Sequence, residues 1–270
     1  MAAMVGTDLH PELGSPVADH LPNYAYTARR MLGGGLCAVA GVVVALVGLK
    51  VIPLPIREGF WETAAALVMG GILLVFGLYF AVDAVRCTGP RVVVYERGFV
   101  AGREVFLWDR VEAFYQLVAE LSVSGLPLSL TEYSVRRDDG RVIRFTRGVC
   151  GAGTLATEIQ ERINPRLLAD ARAAFAAGRE VRFGEVLVDA GGLKFSDVGS
   201  GRARKVSWNE IDRLDPGGMQ IHVRKAGESR LARLAGGGES IATRQVANMA
   251  VFLALVGEIL ARRPKGQQGA

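Results

Sequence analysis

The apolar positions of this chain fall into two regimes. Residues 31–49 and 63–82 carry no charged side chain, and runs of about 19 and 20 residues are long enough for a helix to cross roughly 30 Å of hydrocarbon. Soluble core helices rarely stay uncharged on every face for five turns. The pattern therefore predicts a transmembrane hairpin over residues 29–87, with spans near 31–52 and 63–85. Some 30 mostly polar residues precede the first run and no small-residue cleavage site follows it, which reads against a secretion signal. Gly34, Gly41 and Gly48 recur every seven residues in the first span, as do Gly70 and Gly77 in the second. Small residues let helix backbones approach closely, and in lipid that packing drives association. Two readings follow: the spans pack on each other within one chain, or the glycines form a homo-oligomeric interface.

From Gly89-Pro90 onward, short runs of period two replace the apolar blocks. "RVVVYERGFV" reads as strand, turn at Glu96–Gly98 and strand, and "REVFLWDRVEAF" as a strand ending near its tryptophan. "EYSVRRDDGRVIRFTRG" reads as a hairpin closed at Asp138-Asp139-Gly140, where Asp-Gly accepts the positive dihedrals of a tight turn. Leu155, Ile159 and Ile163 step by four and predict an amphipathic helix. "NPRLLADARAAFAAG" predicts a separate connecting helix, with Asn164 as cap, Pro165 at the first helical position and Gly178 past the end.

The order then recurs. "EVRFGEVLVDAGGLKF" reads as strand, turn at Ala190–Gly192 and strand, and "ARKVSWNEIDRL" as a second tryptophan strand. "GMQIHVRKAGESRLARLAGG" reads as a hairpin turning near Ala226–Glu228, and "NMAVFLALVGEILARR" as a closing helix capped by Asn248. Gly98 and Gly192 lie 94 residues apart but Trp108 and Trp208 lie 100 apart, so the second unit carries about six more residues, which "DVGSGRAR" supplies. The domain plan is a disordered N-terminal tail (1–28), the hairpin (29–87), a first β unit (88–164), a connecting helix (165–179), a second β unit (180–264) and a disordered C-terminal tail (265–270).

A unit of six or seven strands closed by one amphipathic helix resembles the pleckstrin-homology-like (PH-like) superfold. Strand, glycine turn, strand and then Trp-x-x-aliphatic is similar to bacterial PH-like domains. "AAGREVRFGEVLVDAGGLKF…VSWNEIDRL" with "VANMAVFLALVGEIL" is similar to an uncharacterised family of bacterial membrane-anchored proteins, a domain of unknown function. The resemblance covers residues 88–262. It implies a two-helix transmembrane hairpin followed by two tandem PH-like units, each a bent antiparallel sheet or partly open barrel capped by a C-terminal α-helix. It brings no catalytic residues. Trp108 and Trp208 are then structural anchors, with Val111, Phe114, Ile211 and Leu214 extending the same face. Burying well over 150 Å² per tryptophan stabilises a core that is marginal in so small a module. An exposed aromatic contact is the alternative role.

Charge and chemistry change the picture little. The net charge of +5 and a pI near 9.3 come with no zinc-finger spacing, RNA-binding aromatic signature or basic helix, so nucleic acid is not expected. Arg29, Arg30, Arg86, Arg91 and Arg97 flank one side of the hairpin, against Lys50 and Arg57 on the other, which places both termini in the cytoplasm by the positive-inside rule. Three cysteines, one inside a span, make no disulfide framework. His10 and His20 are too isolated for a metal site, His222 alternates with apolar strand neighbours, and Cys150 has no positioned base. Neither enzyme activity nor cofactor nor metal is expected. Arg136, Arg137 and Arg141 at the hairpin tip are candidate contacts for anionic lipid headgroups; the other reading is a solvated face. The sequence therefore points to a membrane-anchored scaffold or binding protein of the inner (plasma) membrane, with lipids and an unidentified protein as partners. The alternative is an accessory subunit of a transport or export assembly.

Overall fold

The computed structural model describes residues 10–52, 60–86, 88–123, 126–198, 201–225 and 239–262. The ends of both expected tails (1–9 and 265–270) and the expected turn at 226–228 lie outside the described residues. The chain forms two compact units, one of Asp19–Val92 with Phe145–Ala152, the other of Met1–Ala18, Val93–Arg144 and Gly153–Ala270.

The first unit is built on two long helices, α1 (Tyr24–Gly48) and α2 (Phe60–Arg86). Asn23 caps α1 by accepting a hydrogen bond from the Tyr26 amide at 3.1 Å. Both helices are long and apolar enough to cross a membrane, and only 17% and 11% of their most apolar windows is buried, unlike core helices. The heptad glycines explain how they pair. A Cβ on Gly34 would stand 2.9 Å from the Gly77 carbonyl oxygen, one on Gly41 2.7 Å from that of Gly70, and one on Gly48 3.1 Å from the Ala66 methyl. The glycine row is thus occupied within the chain, the first of the two sequence readings. Gly33, Gly35 and Gly71 instead face open space.

The root of the hairpin is tied to the bend "RGVCGAG". Asn23 donates its amide to the Gly148 carbonyl at 2.6 Å, the Cys150 amide donates to Leu21 at 2.8 Å, and Pro22 bridges Val149. Arg91 grips the Asp19 carboxylate with two of its nitrogens, Nε at 3.0 Å and Nη2 at 2.6 Å. A Cβ on Gly89 would run into Val149, so the backbones meet where only glycine fits.

The second unit holds most of the strands. A four-stranded meander comprises β1 (Pro16–His20), β2 (Val92–Tyr95), β3 (Gly98–Ala101) and β4 (Glu104–Leu107); a three-stranded one comprises β5 (Val111–Val123), β6 (Leu126–Arg137) and β7 (Val142–Phe145); and α3 (Ala152–Ala176) follows. The order then recurs as β8 (Val181–Phe183), β9 (Val186–Asp189), β10 (Gly192–Ser196) and β11 (Ala203–Ser207), then β12 (Ile211–Pro216), β13 (Gln220–Lys225) and β14 (Glu239–Ala242), then α4 (Met249–Ala261). A one-turn 3-10 helix led by Trp108 or Trp208 separates the four strands from the three, and both following strands carry a bulge, at Val111/Ala113 and Ile211/Arg213. Among the described residues neither half closes into a barrel.

Three expectations change. Residues 10–28 are not a disordered tail: Leu13 is wholly buried with Tyr95 and Val100, β1 joins the first sheet, and α1 begins at Tyr24. "EVRFGEVLVDAGGLKF" makes three strands rather than two, because Gly184 turns at a φ of 69°. β13 pairs with β14, and residues 226–238, where the rest of the expected hairpin falls, lie outside the described residues. Residues 152–176 form one helix with Pro165 inside it, not two helices. Proline removes one amide from the helix interior and costs about 3 kcal/mol. Packing on both sides offsets that cost: Leu155, Ile159 and Ile163 are fully buried before it, and Leu167, Leu168, Ala171 and Phe175 pack on the second core after it. Arg166 also donates to the carbonyls of Trp108 and Val111, so one helix serves both halves.

Asn248 joins the halves a second time. It stands at the N-cap of α4 in the left-handed region (φ 51°), with no capping bond from its side chain. Its amide donates to the Phe114 carbonyl (2.7 Å), its Nδ2 to Glu112 (3.1 Å), and its Oδ1 accepts from the Phe114 amide (2.8 Å). Asn248→Ala is expected to cost about 1–3 kcal/mol by stranding two groups of β5. Hydrogen exchange should show the loss of protection at the Phe114 amide first.

Candidate functional site

The arginines singled out at the β6–β7 turn sit in a closed set of ion pairs. The turn forms as expected, with Gly140 at a φ of 83° and its amide donating to Arg137 at 3.0 Å. Arg110 pairs with Asp138, Arg136 with Glu112, Arg137 with Asp139, and Arg141 with Glu104: four cations against four anions. Arg137 has a side chain only 12% exposed; it also donates to the Val105 carbonyl and lies 5.5 Å from the Phe106 ring centroid. Hydrogen bonds from Arg137 hold the Asp139 carboxyl far below the usual carboxylate range, and those from Arg110 lower Asp138. Both acids stay ionised where free carboxylates protonate, and the pairing is lost only as pH falls through these lowered values. These ion pairs give Arg136, Arg137 and Arg141 a structural role at the turn.

The second half repeats the pattern of pairing. Arg224 meets Asp215 at 2.8 Å, Lys225 meets Glu239 at 3.1 Å, and Lys194 meets Glu180 at 2.8 Å. His222 is exposed on β13, opposite Asp215 and Ser240. The Cys150 thiol points to the Pro22 carbonyl at 3.8 Å, and the His20 ring nitrogen contacts the Cys150 carbonyl, not the thiol. Among the described residues no three His, Cys, Asp or Glu side chains gather as a metal site.

The tryptophans are placed alike. Trp208 is buried in the second core and donates its indole N–H to the Asp189 carbonyl at 2.8 Å. Trp108 is half-buried, donates to the Glu96 carbonyl at 3.1 Å, and lies 5.4 Å from the Phe99 ring. Val111, Phe114 and Ile211 are buried and Leu214 is partly so.

The polar site that the sequence reading missed lies at the root end of the apolar helices. Arg30 of α1 pairs with Asp83 of α2, each side chain 25% exposed. The Arg30 guanidinium also sits 5.3 Å from the Tyr26 ring centroid and 5.2 Å from that of Phe80. The neighbouring cleft, about 390 Å³, is lined by Tyr26, Arg29, Arg30, Gly33, Gly34, Cys37 and Phe80. Arg29 is exposed, with no ion pair among the described residues. Gly34 opposes Gly77, so the antiparallel register sets Arg30 opposite Ala81, two residues from Asp83 and within reach of its long side chain.

The model described as "Family of unknown function (DUF6585)" matches residues 12–265. The chain belongs to that family. The DUF6585 match begins one residue before the buried Leu13 and ends beyond α4, so it takes in β1, both long helices and both sets of strands. That extent agrees with the resemblance to an uncharacterised family and extends it to the N-terminal side of the hairpin. No curated protein and no solved structure matches the chain.

Proposed function

We propose that this DUF6585 chain is a membrane-anchored, non-enzymatic scaffold or binding protein that holds two tandem PH-like modules at the cytoplasmic face of the plasma (inner) membrane. The observation that carries the reading is the place of the apolar helices: they are inserted between β1 and β2, which neighbour each other in one sheet. Strands of one sheet share one side of a bilayer, so the intervening chain must enter and return. Residues 21–23 and 87–91 are all that separate the helices from those strands along the chain. Seven strands in sheets of four and three, followed by a helix, occur twice and support the PH-like reading. The continuous α3 and the Asn248 bonds favour a fixed double module, the property a scaffold needs. Five arginines around the root favour the cytoplasmic side.

The test uses Cys150, which is exposed beside the root. With Cys37 and Cys87 replaced by serine, a membrane-impermeant maleimide should label Cys150 only after lysis. Labelling in intact cells would reverse the topology. Recovery of the protein with a larger membrane complex in mild detergent would favour the accessory-subunit reading instead.

A further inference from the structure

We infer that the cleft beside Arg29 and Arg30 seats one anionic phospholipid, with the phosphate at Arg29 and an acyl chain along Gly33 and Cys37. The inference rests on the membrane reading of α1 and α2.

Depth supports it first. At 1.5 Å per residue, Tyr24–Gly48 spans about 37 Å against roughly 30 Å of hydrocarbon, so its first turns stand at headgroup level. Tyr24 and Tyr26 there, and Trp61 at the other end, occupy the interfacial positions aromatic side chains favour.

Charge supports it next. Arg30 is neutralised by Asp83 and held between the Tyr26 and Phe80 rings, so it forms a wall of the cleft rather than a free cation. Arg29 leaves the site with a net positive charge. A zwitterionic lipid brings no net charge to offset it, whereas an anionic one does.

Shape supplies the remainder. Tyr26, Arg29, Arg30, Gly33, Gly34 and Cys37 recur at helical three- and four-residue steps, on one face of α1. Gly34 is buried against α2 while Gly33 faces open space, so no side chain at Gly33 blocks the cleft between Arg29 and Cys37. From Arg29 to Cys37 the helix descends about 12 Å. At this depth a cleft on a lipid-facing helix is filled by lipid, because an empty one forfeits contacts on every wall.

The experiment is lipid retention by the full-length protein, purified in mild detergent and read by native mass spectrometry. Equal amounts of phosphatidylglycerol and phosphatidylcholine are offered. One phosphatidylglycerol should be retained in preference. Arg29→Gln should weaken its retention about fivefold, one basic residue near an anionic surface being worth about 1 kcal/mol. Gly33→Leu fills the cleft without changing charge or meeting a neighbour, and it should weaken retention of both lipids. Arg103→Gln, an exposed arginine in the sheet-bearing unit, should change nothing. Equal retention of the two lipids, or indifference to both Arg29→Gln and Gly33→Leu, overturns the inference while the membrane reading stands. Displacement of the lipid by millimolar inorganic phosphate assigns the site to free phosphate and also overturns it. Recovery of the chain from the aqueous fraction without detergent defeats the membrane reading and this inference together.

Discussion

Gly41→Leu and Gly77→Leu are each expected to unpack the two apolar helices, whereas Gly71→Leu should be tolerated. A Cβ at Gly41 would stand 2.7 Å from both the Gly70 carbonyl oxygen and the Leu74 amide nitrogen, and one at Gly77 would stand 2.6 Å from the Gly34 carbonyl oxygen. These neighbours are backbone, so no rotamer change relieves the collision. Overpacking of a tight interior costs about 1–3 kcal/mol and sometimes more. In lipid no hydrophobic force between helices compensates, because the tails are as apolar as leucine. At Gly71 nothing lies within 4 Å, and a leucine there favours the helix by about 1 kcal/mol over glycine. SDS titration in mixed micelles, followed by protease resistance, should shift to lower SDS for the first two variants only. Equal behaviour of all three would mean that the glycine row does not hold the pair.

Trp208→Ala should produce the largest loss of stability in the sheet-bearing unit. The ring is buried among Leu193, Phe195 and Val206 of the second core, and its N–H is the partner of the Asp189 carbonyl. Truncation removes the packing and leaves that carbonyl without its donor, at a cost of about 3–5 kcal/mol. That is a large share of the roughly 5–15 kcal/mol that holds a domain folded. Trp108→Ala should cost less, its ring being only half-buried. Because α3 contributes to both halves and Asn248 bonds across to β5, the damage should spread. Denaturant unfolding by circular dichroism is expected to stay a single transition, moved to lower denaturant. Two separated transitions would show that the halves are independent despite the shared helix.

The parts of the fold legible in the sequence were those whose cause is local. The apolar helices announce themselves by missing charge, the β6–β7 turn by Asp139-Gly140, and the end of α3 by Gly178, which takes a φ of 71°. The repeat was legible from Trp108 and Trp208 because each closes one turn against a nearby carbonyl. What was not legible depends on distant partners. "PVADH" has a proline, a charge and no apolar alternation, so nothing local marks β1; the Asp19–Arg91 contact that closes beside it spans 72 residues. Pro165 is a sound helix start by local rules, and only burial on both sides keeps the helix whole. The ion pairing of Arg136 and Arg141 was not legible for the same reason. Glu104 and Glu112, which pair with Arg141 and Arg136, come from other strands, and run composition does not reveal strand register.

The interruption of the first sheet also fixes an order of events during synthesis. β1 leaves the ribosome first, but its neighbour β2 follows only after both apolar helices have been made. Elongation at about 5–20 residues per second places about 4–14 seconds between Asp19 and Arg91, the residues that clasp at the sheet's edge, 72 positions apart. Throughout that interval the first strand lacks its sheet neighbour, while on the proposed membrane reading the helices enter the bilayer. If the pair inserts and returns, β1 and β2 meet on the same side and the sheet completes. If insertion stalls after one helix, they stand on opposite sides and the sheet stays open. On the proposed membrane reading, closure of this β-sheet would report that both helices had inserted and returned.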